Sequence, residues 1–116
     1  METTVTNKEK TMATKIEMID AIRLGLQAPT TGPRCGCGRA YIVLSSKADK
    51  KTLKDFKDAV ETCGLRFLGN AYGVSGKRTV YVGYDNGTGH PLAQAEAIAK
   101  NLRNIGVDVF DDAVGD

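Results

Sequence analysis

Between positions 84 and 91 the chain reads Tyr-Asp-Asn-Gly-Thr-Gly-His-Pro. This short segment offers a phenol, a carboxylate, an amide, a hydroxyl and an imidazole, with Gly87 and Gly89 between them. Glycine lets backbone N–H groups approach a ligand closely. A β-rich run, Lys77 to Val82, precedes the segment, and an amphipathic stretch, Leu92 to Ile105, follows it. The polar residues therefore join a strand to a helix N-terminus. Such an end carries unpaired N–H donors and partial positive charge, which suit phosphate or carboxylate. The same residues also suit an ordinary βα turn, with Asp85 in an Asx turn. A tight connection needs only a few residues, and the number of polar groups here favours binding.

Other groups invite chemistry and carry less of it. Cys35-Gly-Cys37, with Cys63 and His90, would supply a Cys₃His metal site. Its Cys-x-Cys spacing is shorter than the Cys-x₂₋₄-Cys of zinc knuckles, and Cys63 falls on an apolar helical stripe, where a thiol is a small hydrophobe. Arg34 and Arg39 flank the other two cysteines, and cations favour thiolate. No metal or cofactor is expected. A single histidine and the lack of a nucleophile elbow argue against nucleophilic catalysis. Asp111 and Asp112 are adjacent, so an extended segment points them to opposite sides. The chain reads as a binder, not an enzyme.

Charge narrows the partners. The formal net charge is +2. Lys47, Lys50, Lys51, Lys54 and Lys57 are interleaved with Asp49, Asp55, Asp58 and Glu61, the mixed pattern of a solvated helix face. Nucleic acid is therefore not the expected partner. Tyr41 and Phe67 would serve as aromatics on an RNA-binding sheet, but the glycine-rich consensus of that module is absent. Arg103, near the end of the last helix, offers a planar fork for phosphate or carboxylate. It also suits a helix C-terminus as a plain surface residue. Asn86 and Arg103 bracket the same helix, roughly 25 Å apart at 1.5 Å per residue. One small ligand reaches both only if two subunits share it, which points to a dimer or larger homo-oligomer.

The elements that position these groups follow from periodicity. Residues 1–13 are polar and aperiodic and read as a disordered tail before one domain over 14–116. Thr14 and Glu17 have capping-box spacing, and Ile16, Ile19, Ile22 and Leu26 predict a helix over about 15–27. The stretch from Ala28 to Gly38 is a Pro- and Gly-punctuated loop. Ala40 to Ser45 is a buried strand. Ser46 and Asp49 repeat the capping-box spacing before Leu53, Phe56, Ala59, Val60 and Cys63, one helical face; Gly64 stops it. Leu65 to Tyr72 and Arg78 to Tyr84 form a hairpin around the turn 73–77, with Gly69 a bulge. The last helix starts at His90-Pro91, and a short strand, Val107 to Phe110, precedes an acidic terminus. After the first helix the order is β-α-β-β-α-β. This predicts an α+β, ferredoxin-like antiparallel sheet with an additional N-terminal helix. No apolar run spans a membrane, and no signal-peptide core is present. Three cysteines, an odd number, argue against a secreted disulfide scaffold. A cytoplasmic protein is expected.

The segment Thr79-Val-Tyr-Val-Gly-Tyr-Asp-Asn-Gly-Thr-Gly89, the alanine-rich helix after it, and Gly106-Val-Asp-Val-Phe-Asp-Asp112 resemble the first anti-Thoeris group of phage proteins, sponges that sequester cyclic ADP-ribose isomers. The resemblance covers about the last forty residues. It implies a compact α+β protomer in an oligomer, in the cytoplasm of an infected bacterial host. It implies capture without cleavage of a cyclic nucleotide signal at subunit contacts, with cyclic oligonucleotides at a second site in some members. The positions it carries over are Asn86 and Arg103, with Tyr84 and Phe67 against a base; Asp85, Thr88 and His90 share the loop. The alternative is a small ferredoxin-like module that binds RNA or a protein through its sheet or Lys-rich helix. A metal-binding regulator built on Cys35, Cys37, Cys63 and His90 ranks third.

Overall fold

The computed structural model describes residues 13–29, 38–71, 73–74, 76–85 and 90–115. It is α+β: helix α1 (Lys15–Leu26), strand β1 (Gly38–Leu44), helix α2 (Lys50–Thr62), strands β2 (Arg66–Gly69) and β3 (Thr79–Asp85), helix α3 (His90–Asn104) and strand β4 (Val109–Gly115). The four strands make one sheet in the order β2-β3-β1-β4, and every neighbouring pair is antiparallel. No helix among the described residues is long and apolar enough to cross a membrane. The expected tail over 1–13 and the Cys35–Cys37 loop lie outside the described residues, apart from Ala13.

Local chemistry sets the helix starts. Thr14 Oγ1 accepts from Glu17 N at 3.1 Å, and the Glu17 carboxylate accepts from Thr14 N at 2.9 Å, a complete capping box. For α2 the Ser46 cap expected from sequence is not used. Ser45 Oγ accepts from Lys47 N at 3.1 Å within a turn, and the helix starts later, with Asp49 accepting from Thr52 N at 2.8 Å. Asp caps as well as Ser, so the same residues permit either start. Gly64, at φ 84°, follows the C-cap Cys63 and ends α2.

The helices lie on one face of the sheet. Ala40, Ile42 and Leu44 of β1 join Phe56, Ala59, Val60, Ile98, Leu102 and the buried side of α1 in one apolar core. The additional helix α1 packs against both α2 and α3. It does so largely through the stripe that periodicity predicts, with Ile22 buried and Ile19 and Leu26 packed against the core; Met18, Ala21 and Gly25 join it, whereas Ile16 is 69% exposed. The small residues decide this. A Cβ on Gly25 would lie 2.7 Å from the Ile98 Cα, so only glycine allows this approach of α1 to α3. Gln94 Nε2 donates to Leu26 O at 2.9 Å and Asn101 Nδ2 to Ala21 O at 3.1 Å, tying α3 to carbonyls of α1.

Two strands differ from expectation. β2 ends at Gly69, short of Tyr72, with a register shift between Phe67 and Gly69. After it Val74 N donates to Ala71 O at 3.1 Å in a turn, and Gly73 and Gly76 lie across the sheet face away from the helices. A Cβ on Gly73 would meet Val114 side-chain atoms of β4, and one on Gly76 would collide with the Val43 side chain of β1. The segment between β2 and β3 is thus a strap over that face. β4 does not stop at Phe110. It pairs with β1 from Val109↔Leu44 to Gly115↔Gly38, so the acidic terminus is an edge strand. Charged residues on an edge discourage unwanted strand pairing, which accounts for Asp111 and Asp112 there.

Candidate functional site

Residues directly opposite on antiparallel strands share a sheet face. On β1 the open face receives Arg39, Tyr41 and Val43. Their partners on β3 are Tyr84, Tyr81 and Thr79, and on β4 Val114, Asp112 and Phe110. Tyr81 and Tyr84 are three residues apart, an odd separation that regular alternation would place on opposite faces. The register shifts between Ala40 and Tyr41, so that β3 spends one extra residue there. This bulge brings both phenols to the same side. Tyr41 and Tyr81 meet edge to face at 5.7 Å between centroids. Tyr41 is only 4% exposed, in contrast to Tyr84 at 47%.

Arg39 sits opposite Tyr84 at the end of the sheet from which β3 runs toward α3. Its Nε is buried and has no hydrogen-bond partner among the described residues. A buried donor left unpaired costs about 1–3 kcal/mol, so this guanidinium is held in place at a cost. Here α3 begins close to the sheet: a Cβ on Gly83 would lie 3.2 Å from Pro91 Cβ. Gly83 pairs with Ala40 of the core side, so the first turn of α3 packs on the helix face of this sheet end, while Arg39 and Tyr84 share its open face. A planar cation for phosphate or carboxylate and an exposed ring for stacking stand side by side.

The residues expected from sequence divide into two groups. Tyr84, Asp85 and His90 belong to this end: Asp85 closes β3 opposite Gly38, and His90 is the first residue of α3. Asn86 and Thr88 lie outside the described residues. Phe67 is not part of this end. It pairs with Val80, on the helix side of β2, and Lys57 Nζ lies 5.1 Å from its ring centroid. Arg103 lies at the opposite end of α3, where its Nη1 donates to Val109 O at 3.0 Å and fastens the start of β4 to the helix. That bond uses one of five guanidinium donors.

Arg39 and Tyr81 do not stand out in the sequence as companions of Tyr84 on one face. Arg39 was visible only as a cation beside Cys37, and Tyr81 shares a face with Tyr84 only because of the bulge. A second concavity, of about 670 Å³, lies at the other end of the sheet, with Ser45, Lys77, Arg78, Asp108 and Phe110 in its wall. It contains none of the expected residues. Arg78 is structural there, donating through Nη1 to Ser45 O at 3.1 Å and Ala48 O at 2.9 Å.

Among the described residues no three His, Cys, Asp or Glu side chains gather as a metal site. Cys63, the described cysteine of the proposed Cys₃His set, sits between α2 and α1 and donates through Sγ to Ile19 O at 3.6 Å. Burial pushes its thiol pKa up, partly offset by nearby Arg23. No protein-family model matches the chain, and no curated protein or solved structure shows significant similarity to it.

Proposed function

We propose that this chain is a non-catalytic binder that captures an anionic nucleotide-type ligand at the β3–α3 end of its open sheet face. The observation that carries this reading is Arg39 opposite the exposed Tyr84 on the open face. A guanidinium pairs with a phosphate in two-point fashion, and an exposed phenol stacks on a base. Binding of this kind needs complementarity and preorganisation, and no general base. The anti-Thoeris resemblance narrows the ligand to a cyclic ADP-ribose isomer, held intact, which would withdraw an immune signal in an infected bacterial cell. The fold belongs to the same proposal. From the β4 edge the strands run 4-1-3-2 with antiparallel neighbours, and this supports the ferredoxin-like arrangement of two interlocked βαβ units.

Calorimetry with a panel of cyclic ADP-ribose isomers and cyclic oligonucleotides tests the reading. At least one should bind and be recovered unaltered after denaturation. Arg39→Ala should weaken binding by about 1.5–3 kcal/mol, the scale of a hydrogen bond to a charged group. Arg103→Ala separates two versions of the site. Weakened binding would mean a ligand shared between subunits; unchanged binding would mean one held by a single chain. No binding across the panel, or a hydrolysed product, would sink the proposal.

A second reading has its own observation. Arg39, Tyr81, Tyr84 and the Arg66 partner of Tyr81 all lie on the open face, the mixture of rings and cations on which single-stranded RNA stacks. The burial of Tyr41 counts against it, since a stacking platform exposes its central rings. Tight RNA binding at physiological salt, lost in Tyr81→Ala and Arg66→Glu, would put this reading first.

A further inference from the structure

The helix layer, on the opposite side from the proposed ligand face, carries two surfaces with no role so far. The first is the outer side of α1. Among the described residues Ile16 and Leu24 are the two most exposed large apolar side chains, at 69% and 64%. They lie two turns apart, and the acidic Asp20 falls midway between them, with Glu17 one turn away. Large apolar side chains placed this way on a polar helix face mark a contact. The second surface is on α2. A depression of about 330 Å³ is lined by Lys50, Leu53, Lys54, Lys57 and Asp58. Its floor is apolar and its rim basic. The carboxylate of that rim is already engaged, with Lys15 Nζ at 3.6 Å and Lys54 Nζ at 3.9 Å from Asp58 Oδ2.

The lysines of α2 also stand where a helix does not favour them. Lys50 and Lys51 open α2, and its first turn holds no acidic residue. A helix N-terminus carries partial positive charge and prefers acids. The Asp49 N-cap supplies that acid just before them, so the lysines are tolerated there and remain available to a partner.

The two surfaces are complementary in charge and relief. One is an acidic face with protruding apolar side chains; the other is a basic-rimmed depression with an apolar floor. Both belong to one chain, but they lie on different helices, each facing outward. We infer that the α1 face of one copy docks on the α2 depression of a second copy, with Leu24 against Leu53 and Asp20 and Glu17 among Lys50, Lys54 and Lys57. The contact is heterologous, so each copy keeps a free surface of each kind, and assembly continues into a ring or an open chain. It leaves the open sheet face uncovered and stands apart from the ligand reading, so either can fail without the other.

Light scattering of the full-length chain tests this. Self-association should rise with concentration between about 1 μM and 1 mM, as suits an interface below standard size, and should weaken in high salt. Leu24→Glu should weaken it at least about tenfold, which is about 1.4 kcal/mol. Charge reversal supplies the decisive arm. Asp20→Lys alone and Lys50→Glu/Lys57→Glu alone should each weaken association, the first because it cancels the charge of the acidic face, the second because it makes both surfaces acidic. Mixing the two variants should restore it, since the acidic face of the second variant then meets the basic depression of the first. Thermal melts should show the variants folded, as all these side chains lie outside the core. A wild-type monomer throughout the range, association undiminished in the single variants, or no recovery on mixing would overturn the inference.

Discussion

The two sides of β1 do different work from the same strand. Ala40, Ile42 and Leu44 point into a core closed by three helices, while Arg39, Tyr41 and Val43 point to a face that, among the described residues, is crossed by the strap between β2 and β3. Both sides of Ile42 and Val43 are nearly inaccessible, so burial alone does not tell the faces apart. What differs is the covering layer. Helices tied by side-chain-to-carbonyl bonds cannot easily recede; a loop can adjust. The lesson is that a polar, aromatic face is compatible with a small fold when it is shielded by something that yields.

The sharpest way to break that comparison is to truncate neighbours on opposite sides. Ile42→Ala should cost about 2–5 kcal/mol in urea unfolding, the range for emptying a buried site with rigid walls. Val43→Ala removes less volume and is lined on one side by the strap, so its cost should be clearly smaller. Equal losses would mean that the strap packs as firmly as the helices.

The same change at two glycines sharpens the point. Gly25→Ala places a Cβ against the Ile98 backbone, which cannot rotate away, and should cost about 1–3 kcal/mol or more from overpacking. Gly76→Ala meets only the end of the Val43 side chain. A rotamer change relieves it, and the expected loss is about 1 kcal/mol, at the low end of that range. Thermal or urea unfolding reads both.

How much of this was legible beforehand depended on range. The Thr14–Glu17 capping box, the α2 stripe around Phe56 and Ala59, the stop at Gly64 and the order of elements all rest on contacts a few residues apart, and the sequence displayed them. The rest depended on distant partners. Nothing local says that Ile16 faces water, because that follows from Gly25 meeting Ile98. Nothing local says that Asp111–Gly115 forms a strand, because its partner is β1. At the candidate site, Tyr84, Asp85 and His90 are legible as neighbours because they are contiguous with the β3–α3 junction. Arg39 and Tyr81 were missed because pairing and a bulge bring them there. Arg103 attracted notice for its fork, and its local bond to Val109 depends on the chain reversing at Gly106.

A smaller effect tests the base of the helix layer. Thr14→Ala removes the acceptor for Glu17 N and should cost about 1 kcal/mol, within the usual range for an N-cap. Because α1 contacts α2 and α3 but not the open face, ligand binding at Arg39 and Tyr84 should stay unchanged in this variant. A parallel loss of binding would mean that the two faces are coupled through the core.

The smallest expected effect concerns Cys63, at the seam between α1 and α2. Its thiol pKa is raised above the ordinary 9.0, first by burial, with Arg23 pulling the other way. The folded state therefore holds the proton more tightly than the unfolded chain does. The sign follows: this contribution to stability is fully present below pH 9.0 and is lost as the pH rises through the folded value. Reactivity is the more sensitive probe, because thiolate is the nucleophile. In a Cys35→Ser/Cys37→Ser background, alkylation of Cys63 at about pH 8.5 should be slower in the folded protein than in urea. Arg23→Ala should slow it further, since removing a nearby cation disfavours thiolate. Equal rates folded and unfolded would show that the seam admits solvent and reagent freely. The helix layer would then be no more firmly closed than the strapped face.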